Sequence, residues 1–303
     1  MAYTATKATE CGRQVVVLEG NGNRMAIAPE LGANWFSWQV DGQELFAKSD
    51  LASGRLTGTP VLFPTPNRVW NAAYKWNGKI IHQRVDGKPL VLHGLVQRAP
   101  FAVEAMCADE EHAEATLSIA ITDGERLESF PFPCKLTLTF RLTAAGVGLS
   151  YRVDNLGEEE MAFGFAIHPF FGLIDDRQDI YIQVPAPYIH ETSLELFPTG
   201  KVFPVDGTKF DLREFRKVEG LVLDDVFYGM SGKTAAIQWR KSGRGVTLDA
   251  SQEFTHMVVY TPESSPVVCL ENQTCSTDAF NRHEAGYKET AHLITVEPGQ
   301  AHE

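Results

Sequence analysis

The sequence predicts an all-β protein built from antiparallel sheets. Short apolar runs, alternating or continuous, recur along the 303 residues at lengths typical of strands. Asn-Gly and Asp-Gly pairs, which favour tight hairpin turns, separate several of these runs. Apolar residues do not recur at helical spacing over any long window, and only Leu212–Val218 is compatible with a short helical turn. Strands at this density indicate a large antiparallel architecture.

The first half of the chain has the pattern of successive hairpins. Turn signals lie at Asn21-Gly22-Asn23, Asp41-Gly42 and Asn77-Gly78. The clearest alternation is Lys135–Leu142, whose leucine and phenylalanine side chains would share one face of a strand. The apolar runs of this half cover residues 13–18, 25–28, 35–40, 62–66, 101–108, 115–122, 135–142 and 148–153.

The stretch Met161–Phe171 combines a strand pattern with a titratable residue. One predicted face holds large apolar residues, and the other holds very small residues that end in a histidine. The face of large residues consists of Met161, Phe163, Phe165 and Ile167. The face of small residues consists of Ala162, Gly164, Ala166 and, at its end, His168. Small side chains leave room for a ligand above the strand, and Pro169 should end or bend it because proline lacks a backbone donor. This stretch alone leaves two interpretations of His168, a catalytic group or a hydrogen-bonded histidine at a strand end.

The second half continues the strand pattern without a break in composition. Its apolar runs cover residues 180–184, 234–239, 246–248, 257–261, 267–270 and 293–296. The sequence contains no linker rich in proline, glycine and serine and no convincing internal repeat. We therefore expect a single domain over residues 1–303.

Composition excludes several classes of function. Lysine and arginine number 27 against 39 acidic residues, a net charge of −12, which argues against nucleic acid or an anionic membrane as the main partner. No apolar stretch approaches the roughly 18 residues of a membrane helix. Five cysteines without Cys-x-x-Cys spacing, and no secretory pattern at the N-terminus, favour free thiols in the cytoplasm.

Polar residues beside strand ends are the candidates for chemistry. An arginine after the Pro-Thr-Pro turn, Arg68, can hold two hydroxyls in fork geometry. His93 precedes a glycine that would let a ligand approach closely. The pair Asp224-Asp225 can accept hydrogen bonds from sugar hydroxyls, and Glu271 ends an apolar strand where desolvation can tune a general base. Each is also compatible with an ordinary loop or strand-end residue.

Other patterns are weaker or missing. The five tryptophans are expected to pack in the core or in hairpins, with Trp70, beside Arg68, the best candidate to stack on a sugar. The acidic run at 175–179 lacks the calcium-loop pattern. Dinucleotide-binding, Walker, zinc-protease and serine-hydrolase motifs do not occur, so hydride transfer, phosphate transfer and serine hydrolysis have no support.

Five motifs in this order resemble the aldose 1-epimerase (galactose mutarotase-like) family. The resemblance extends from about Gly20 to Pro298-Gly299. The motifs are Asn67-Arg68, His93-Gly94, His168-Pro169-Phe170-Phe171, Leu223-Asp224-Asp225-Val226-Phe227, and Glu271-Asn272-Gln273-Thr274 followed by Asp278-Ala279-Phe280-Asn281.

The resemblance implies a large twisted antiparallel β-sandwich, the mutarotase-like supersandwich, with a sugar in an open cleft. It also implies an isomerase that interconverts the α and β anomers of a hexose without a cofactor or metal. His168 would be the general acid for the ring oxygen O5, and Glu271 the general base for the C1 hydroxyl. Arg68 and His93 would position the ring. Asp224 aligns best with the hydroxyl-binding aspartate, and Asp225 is the alternative.

On this resemblance, the small-residue face of Met161–Phe171 would form the cleft floor, with Glu271 opposite His168. Two departures bear on a galactose or glucose substrate. Phe170-Phe171-Gly172-Leu173 lacks the asparagine that is usual after the catalytic histidine, and the residues after Arg68 lack the usual Ile-x-x-Gly.

Two alternatives stay open beside the hexose mutarotase. One is a mutarotase-like protein that binds carbohydrate without catalysis. The other is a hexose-6-phosphate 1-epimerase, which would need Arg68, Arg84 and Arg98 to converge near the sugar's O6. We expect a monosaccharide as the partner and a monomer or homodimer in the cytoplasm.

Overall fold

The computed structural model describes residues 2–49, 51 and 56–303, and strands dominate this part of the chain. The first strands are β1 Thr4–Glu10, β2 Arg13–Gly20, β3 Asn23–Ala28, β4 Asn34–Val40, β5 Gln43–Glu44, β6 Val61–Leu62, β7 Ala73–Trp76, β8 Lys79–His82, β9 Arg84–Val85, β10 Lys88–Pro89, β11 Ala102–Ala108, β12 His112–Ile121, β13 Cys134–Thr143 and β14 Gly146–Asn155. The later strands are β15 Met161–Phe163, β16 Ala166–Ile167, β17 Phe170–Gly172, β18 Ile180–Gln183, β19 Tyr188–Thr192, β20 Pro198–Pro204, β21 Arg216–Lys217, β22 Asp224–Tyr228, β23 Ala235–Trp239, β24 Arg244–Leu248, β25 His256–Tyr260, β26 Val267–Gln273, β27 Ile294–Val296 and β28 Ala301–His302.

Helices are few and short. The α-helices are α1 Gly124–Ser129, α2 Ala279–Glu284 and α3 Lys288–Ala291, and single 3-10 turns cover Pro29–Leu31, Trp70–Ala72 and Arg177–Asp179. The all-β prediction is confirmed. The helical turn expected at Leu212–Val218 is wrong, because Arg216 and Lys217 pair with β18 and their backbone groups join a sheet instead.

Paired strands form several antiparallel sheets. Two five-stranded sheets, β1-β2-β3-β4-β5 and β11-β12-β13-β14-β28, contact each other through β2, β12 and β13. A four-stranded sheet has the order β21-β18-β23-β24. Two of the predicted apolar runs, 101–108 and 115–122, lie in β11 and β12, which pair as antiparallel strands. Apolar side chains from these sheets meet in one large buried cluster.

An eight-stranded sheet carries the candidate site. Its order is β20-β19-β22-β25-β26-β16-β6, and β17 pairs with β26 beyond β16. Strand β26 is buried along its whole length, with β25 on one side and both β16 and β17 on the other. A side chain on β26 is therefore held between neighbours on both sides of the strand.

The stretch Met161–Phe171 differs from its prediction as one strand. It is divided between β15, which pairs with β27, and β16 and β17, which pair with β26. The expected cleft floor is also wrong. Ala162 is fully buried in the core, and a Cβ on Gly164 would lie 2.2 Å from Cys275 Sγ. These positions are small because protein atoms already fill the space above them.

Aromatic residues largely follow expectation. Trp35, Trp76 and Trp239 are buried in the core, whereas Trp70 is 45% exposed and contacts Phe197 edge to face. No helix among the described residues is long and apolar enough to cross a membrane. The single-domain organisation stays a prediction.

Candidate active site

Glu271 lies on the buried strand β26, inside the eight-stranded sheet. Side chains alternate along a strand, so Cys269, Glu271 and Gln273 share one face and Asn272 points to the other. The Glu271 side chain is only 2% exposed. Its Oε2 accepts a hydrogen bond of 3.3 Å from Gln273 Nε2, the next residue on the same face.

Strand register places His168 opposite Glu271. Ala166 pairs with Gln273 and Phe170 pairs with Cys269, so His168 falls midway between these two pairs, level with Glu271. Directly opposed residues on antiparallel strands have neighbouring side chains. His168 Nε2 accordingly lies 3.1 Å from Glu271 Oε1.

Pro169 interrupts the ladder after His168, as predicted. His168 N donates to Pro60 O at 3.0 Å, and Phe170 N donates to Gly58 O at 2.7 Å, so the backbone here bonds to the segment before β6. The imidazole stacks on Phe170 with ring centroids 4.1 Å apart and meets His93 edge to face at 5.4 Å. These rings fix the imidazole plane with Nε2 directed at the carboxylate.

Burial dominates the electrostatics of the pair. Desolvation raises the pKa of Glu271 well above its usual range, and the nearby Asp224 carboxylate raises it further. Desolvation lowers the pKa of His168 well below its usual value, and His93 adds to this effect. The 3.1 Å contact needs one proton between the two atoms, so the pair titrates as a unit.

Two loops distant in sequence bring Arg68 and His93 together. Arg68 and Leu92 form an isolated β-bridge, and His93 N donates to Asn67 O at 2.7 Å. Burial, and then the charge of Arg68, lower the pKa of His93 to about 4, so this ring is neutral at pH 7. The neutral imidazole can donate one hydrogen bond and accept another.

Asp224 lies on the same side of the sheet as Glu271. It pairs with Tyr260, which pairs with Cys269, and opposed residues share a face. Its Oδ2 lies 3.4 Å from Arg68 Nη2. Asp225, the alternative named from the sequence, is the next residue along β22 and so points to the other face.

The five predicted residues therefore form one cluster with a gradient of burial. His168 and Glu271 are buried, whereas the side chains of Arg68 and Asp224 remain 27% and 33% exposed. The buried pair can exchange protons with a ligand, and the exposed pair can bind ligand hydroxyls.

Asp278 is a residue whose part in the site was not predicted. Its backbone N donates to Arg68 O, and its Oδ1 accepts from Trp70 N at 3.0 Å and from Asn281 Nδ2 at 2.7 Å. This buried carboxylate fixes the loop that carries Arg68. The sequence motif includes Asp278, seven residues after Glu271, but it does not show which groups hydrogen-bond to Asp278.

Gln273 was also present in the motif without an assigned role. The sequence could have indicated a role for Gln273, because it lies two residues from Glu271 on a strand and their side chains therefore share one face. Cys269 occupies the equivalent position on the other side of Glu271.

His168, Cys269 and Glu271 place one ligand atom each within 4.8 Å of one another. Zinc and similar metals bind cysteine as the thiolate. Burial raises the pKa of Cys269 well above its usual value, so this side chain is a neutral thiol in the structure. Within this set, the direct contact between His168 and Glu271 suits proton transfer.

The sequence also matches an established family model. The model for aldose 1-epimerase covers residues 14–303. The chain belongs to the aldose 1-epimerase family. Membership supports mutarotase-type chemistry on a sugar.

Sequence relatives of this family member are distant. YihR, an uncharacterized protein of Escherichia coli K12, is 22% identical over 252 residues, which cover 80% of this chain and 75% of that protein. Human galactose mutarotase is 25% identical over 155 residues, 49% of this chain and 43% of that protein. Maltose epimerase of Levilactobacillus brevis is 21% identical over a similar share of both chains, 50% and 45%.

Solved structures of the family share the fold. A galactose mutarotase-like protein from Clostridium acetobutylicum superposes with a TM-score of 0.84 at 17% identity, covering 99% of this chain and 96% of that one. Galactose 1-epimerase from Lactobacillus acidophilus NCFM superposes with a TM-score of 0.74 at 16% identity, again covering 99% of this chain and 96% of that one. These similarities confirm the mutarotase-like architecture expected from the sequence.

Proposed function

We propose that this protein is an aldose 1-epimerase that interconverts the anomers of a hexose by opening and closing the ring. The observation that supports this most directly is the buried contact of 3.1 Å between His168 Nε2 and Glu271 Oε1. The ring oxygen O5 and the hydroxyl O1 are both bonded to C1, so an acid and a base that serve them must be close neighbours. A carboxylate and an imidazole in contact meet that requirement.

The proposed reaction balances its protons within the pair. In the reactive form of the pair, the proton that the two side chains share is on His168 Nε2 and Glu271 is ionised. His168 donates this proton to O5 while Glu271 takes the proton from O1, the C1–O5 bond breaks and C1=O1 forms. Rotation about C1–C2 presents the other face of the aldehyde. The O5 hydroxyl then attacks C1, His168 recovers its proton from O5, and Glu271 returns its proton to O1.

The remaining residues would orient the sugar. Arg68 offers a planar fork of donors and Asp224 offers acceptors, so together they suit adjacent hydroxyls. Neutral His93, beside His168, can donate to a ring hydroxyl or to O5. The partly exposed side chains of Arg68 and Asp224 would contact the sugar before it reaches the buried pair.

Polarimetry tests the activity. Freshly dissolved α-D-glucose or α-D-galactose should reach its equilibrium rotation faster with the protein than without it. Glu271→Gln and His168→Asn should each lower kcat by roughly 10²- to 10⁴-fold, the usual effect of losing a general acid or base. Glu195→Gln and His82→Asn, at exposed positions, are matched controls that should keep the full rate.

The same assay separates the alternatives. If calorimetry detects sugar binding but no aldose mutarotates faster with the protein, the protein is a carbohydrate-binding protein and not an enzyme. Acceleration restricted to hexose 6-phosphates would favour the phosphosugar epimerase. That alternative needs Arg84 and Arg98 near Arg68, but Arg84 lies on the exposed hairpin β9–β10 and Arg98 in an exposed turn.

Several expectations stay predictions. We propose a monosaccharide as the partner and a chain that needs no cofactor or metal. The state of assembly, monomer or homodimer, and the cytoplasmic location stay predictions from the sequence.

A further inference from the structure

A second cavity lies on the opposite face of the sheet that carries Glu271. Its volume is about 640 Å³, within the range of roughly 300–1,000 Å³ that is usual for small-molecule sites. Asn272, which lines it, follows Glu271 on β26 and therefore points away from the candidate active site. Ile167 and Phe171, from the segments on either side of His168, line the same cavity.

One wall of the cavity is aromatic. Trp35 and Trp38 meet with ring centroids 5.1 Å apart, and Phe46 packs against both. The indole nitrogens of the two tryptophans already donate to Ser37 O and Asn23 Oδ1. What these side chains offer a ligand is therefore flat apolar surface.

The other lining groups are polar and include two buried acceptors. Asn272 is 6% exposed and Thr59 is 2% exposed. Neither Asn272 Oδ1 nor Thr59 Oγ1 has a hydrogen-bond partner among the residues that the structure describes. Buried polar atoms are normally hydrogen-bonded, so two of them lining one cavity indicate a ligand with hydroxyl donors. Arg244 and Asp249 line the cavity with opposite charges, which disfavours a strongly charged ligand of either sign.

We propose that this cavity is a second carbohydrate-binding site, which takes a neutral sugar of one or two rings. A pyranose has an apolar face that can stack on the partly exposed Trp38, and it has a rim of hydroxyls that can donate to Asn272 Oδ1 and Thr59 Oγ1. A purely apolar ring would leave both oxygens unpaired. The site is separate from the proposed catalytic cleft because the sheet lies between them.

Binding measured apart from catalysis tests the proposal. The starting protein is Arg68→Ala/Asp224→Ala, which weakens the cleft, titrated with glucose, galactose and maltose by calorimetry and tryptophan fluorescence. Saturable binding of at least one sugar, with a fluorescence change, should persist. Thr59→Val, added to this variant, keeps the side-chain shape and should weaken binding about 3- to 10-fold through one lost hydrogen bond.

Two further variants complete the test. Trp38→Leu should weaken binding at least tenfold and abolish the fluorescence change, whereas Thr116→Val, a matched threonine on β12, should change neither. The proposal is overturned if no sugar binds to the cleft variant, if Trp38→Leu and Thr59→Val bind as tightly as their parent, or if the cavity takes indole but no sugar. These readouts need no turnover, so they stand apart from the test of the epimerase.

Discussion

Gln273 should set the acidic limb of the pH profile through its hydrogen bond to Glu271. Glu271 must be ionised and His168 protonated in the reactive form, so activity should rise with pH as the doubly protonated pair loses its first proton. Gln273 Nε2 donates to Glu271 Oε2 at 3.3 Å and lowers the pKa of a carboxyl that burial raises. Gln273→Met keeps the length of the side chain and removes the donor.

The size of the effect follows from the geometry. A hydrogen bond to a charged group contributes about 1.5–3 kcal/mol, and one pKa unit corresponds to about 1.4 kcal/mol. The 3.3 Å separation is long for such a bond, so the lower value applies, and losing the bond should move the acidic limb to higher pH. On the acidic limb, Gln273→Met should therefore be about tenfold slower than wild type at equal pH and should recover as the pH rises.

The assay is kcat/KM by polarimetry across pH, for wild type and for two variants. Gln183→Met is the matched control, because Gln183 donates to Arg213 O and lies on β18, in a different sheet from Glu271. Its profile should coincide with wild type. An acidic limb that stays in place in Gln273→Met, with a normal melting temperature, would refute the hydrogen bond as a determinant of the base's pKa.

Three other predictions concern packing, loop position and charge. Gly164→Ala should lower the free energy of unfolding by about 1–3 kcal/mol, because its Cβ would meet Cys275 Sγ at 2.2 Å and Pro66 Cδ at 2.8 Å. Gly148→Ala is the control and should change the free energy of unfolding little, because the nearest atom to its Cβ would be 4.0 Å away. Equal denaturation midpoints for the two variants would contradict the close packing around Gly164. Asp278→Ala should raise KM and lower the free energy of unfolding by about 2 kcal/mol. Asp278→Asn keeps the Oδ1 acceptor and should have smaller effects. Equal losses of stability in the two variants would argue against the hydrogen bond from Trp70 N to Asp278 Oδ1. Glu271→Gln should unfold at the same or a higher temperature than wild type near pH 7. A raised pKa in the folded state means that the native protein binds more protons than the unfolded chain, so Glu271 costs stability as the pH rises above the unfolded value. A Glu271→Gln variant that melts well below wild type at pH 7, yet not at low pH, would contradict this sign.

Local pattern predicted much of the fold because strands and tight turns depend on neighbouring residues. Alternation in Lys135–Leu142 and the turn at Asp41-Gly42 were sufficient to locate β13 and the β4–β5 hairpin. Short helices escaped prediction. Helices α2 and α3 are too brief to show a helical period, and they are held by buried contacts of Ala279, Phe280 and Ala291.

The interpretation of Met161–Phe171 went wrong for a similar reason. Period-two alternation describes a strand whose two faces are both continuous, but this segment passes from one sheet to another at Gly164. The sequence cannot show that Cys275 and Pro66 occupy the space beside Gly164, because they come from distant parts of the chain.

By itself the sequence determined the all-β class and the candidates His168, Glu271, Arg68, His93 and Asp224, since each shows a local pattern or belongs to a family motif. Only the tertiary structure decided which of these meet. Strand register sets His168 opposite Glu271 across 3.1 Å, and alternation along β22 puts Asp224, not Asp225, on their side of the sheet. Register depends on pairing between residues far apart in the chain, so no local pattern can specify it.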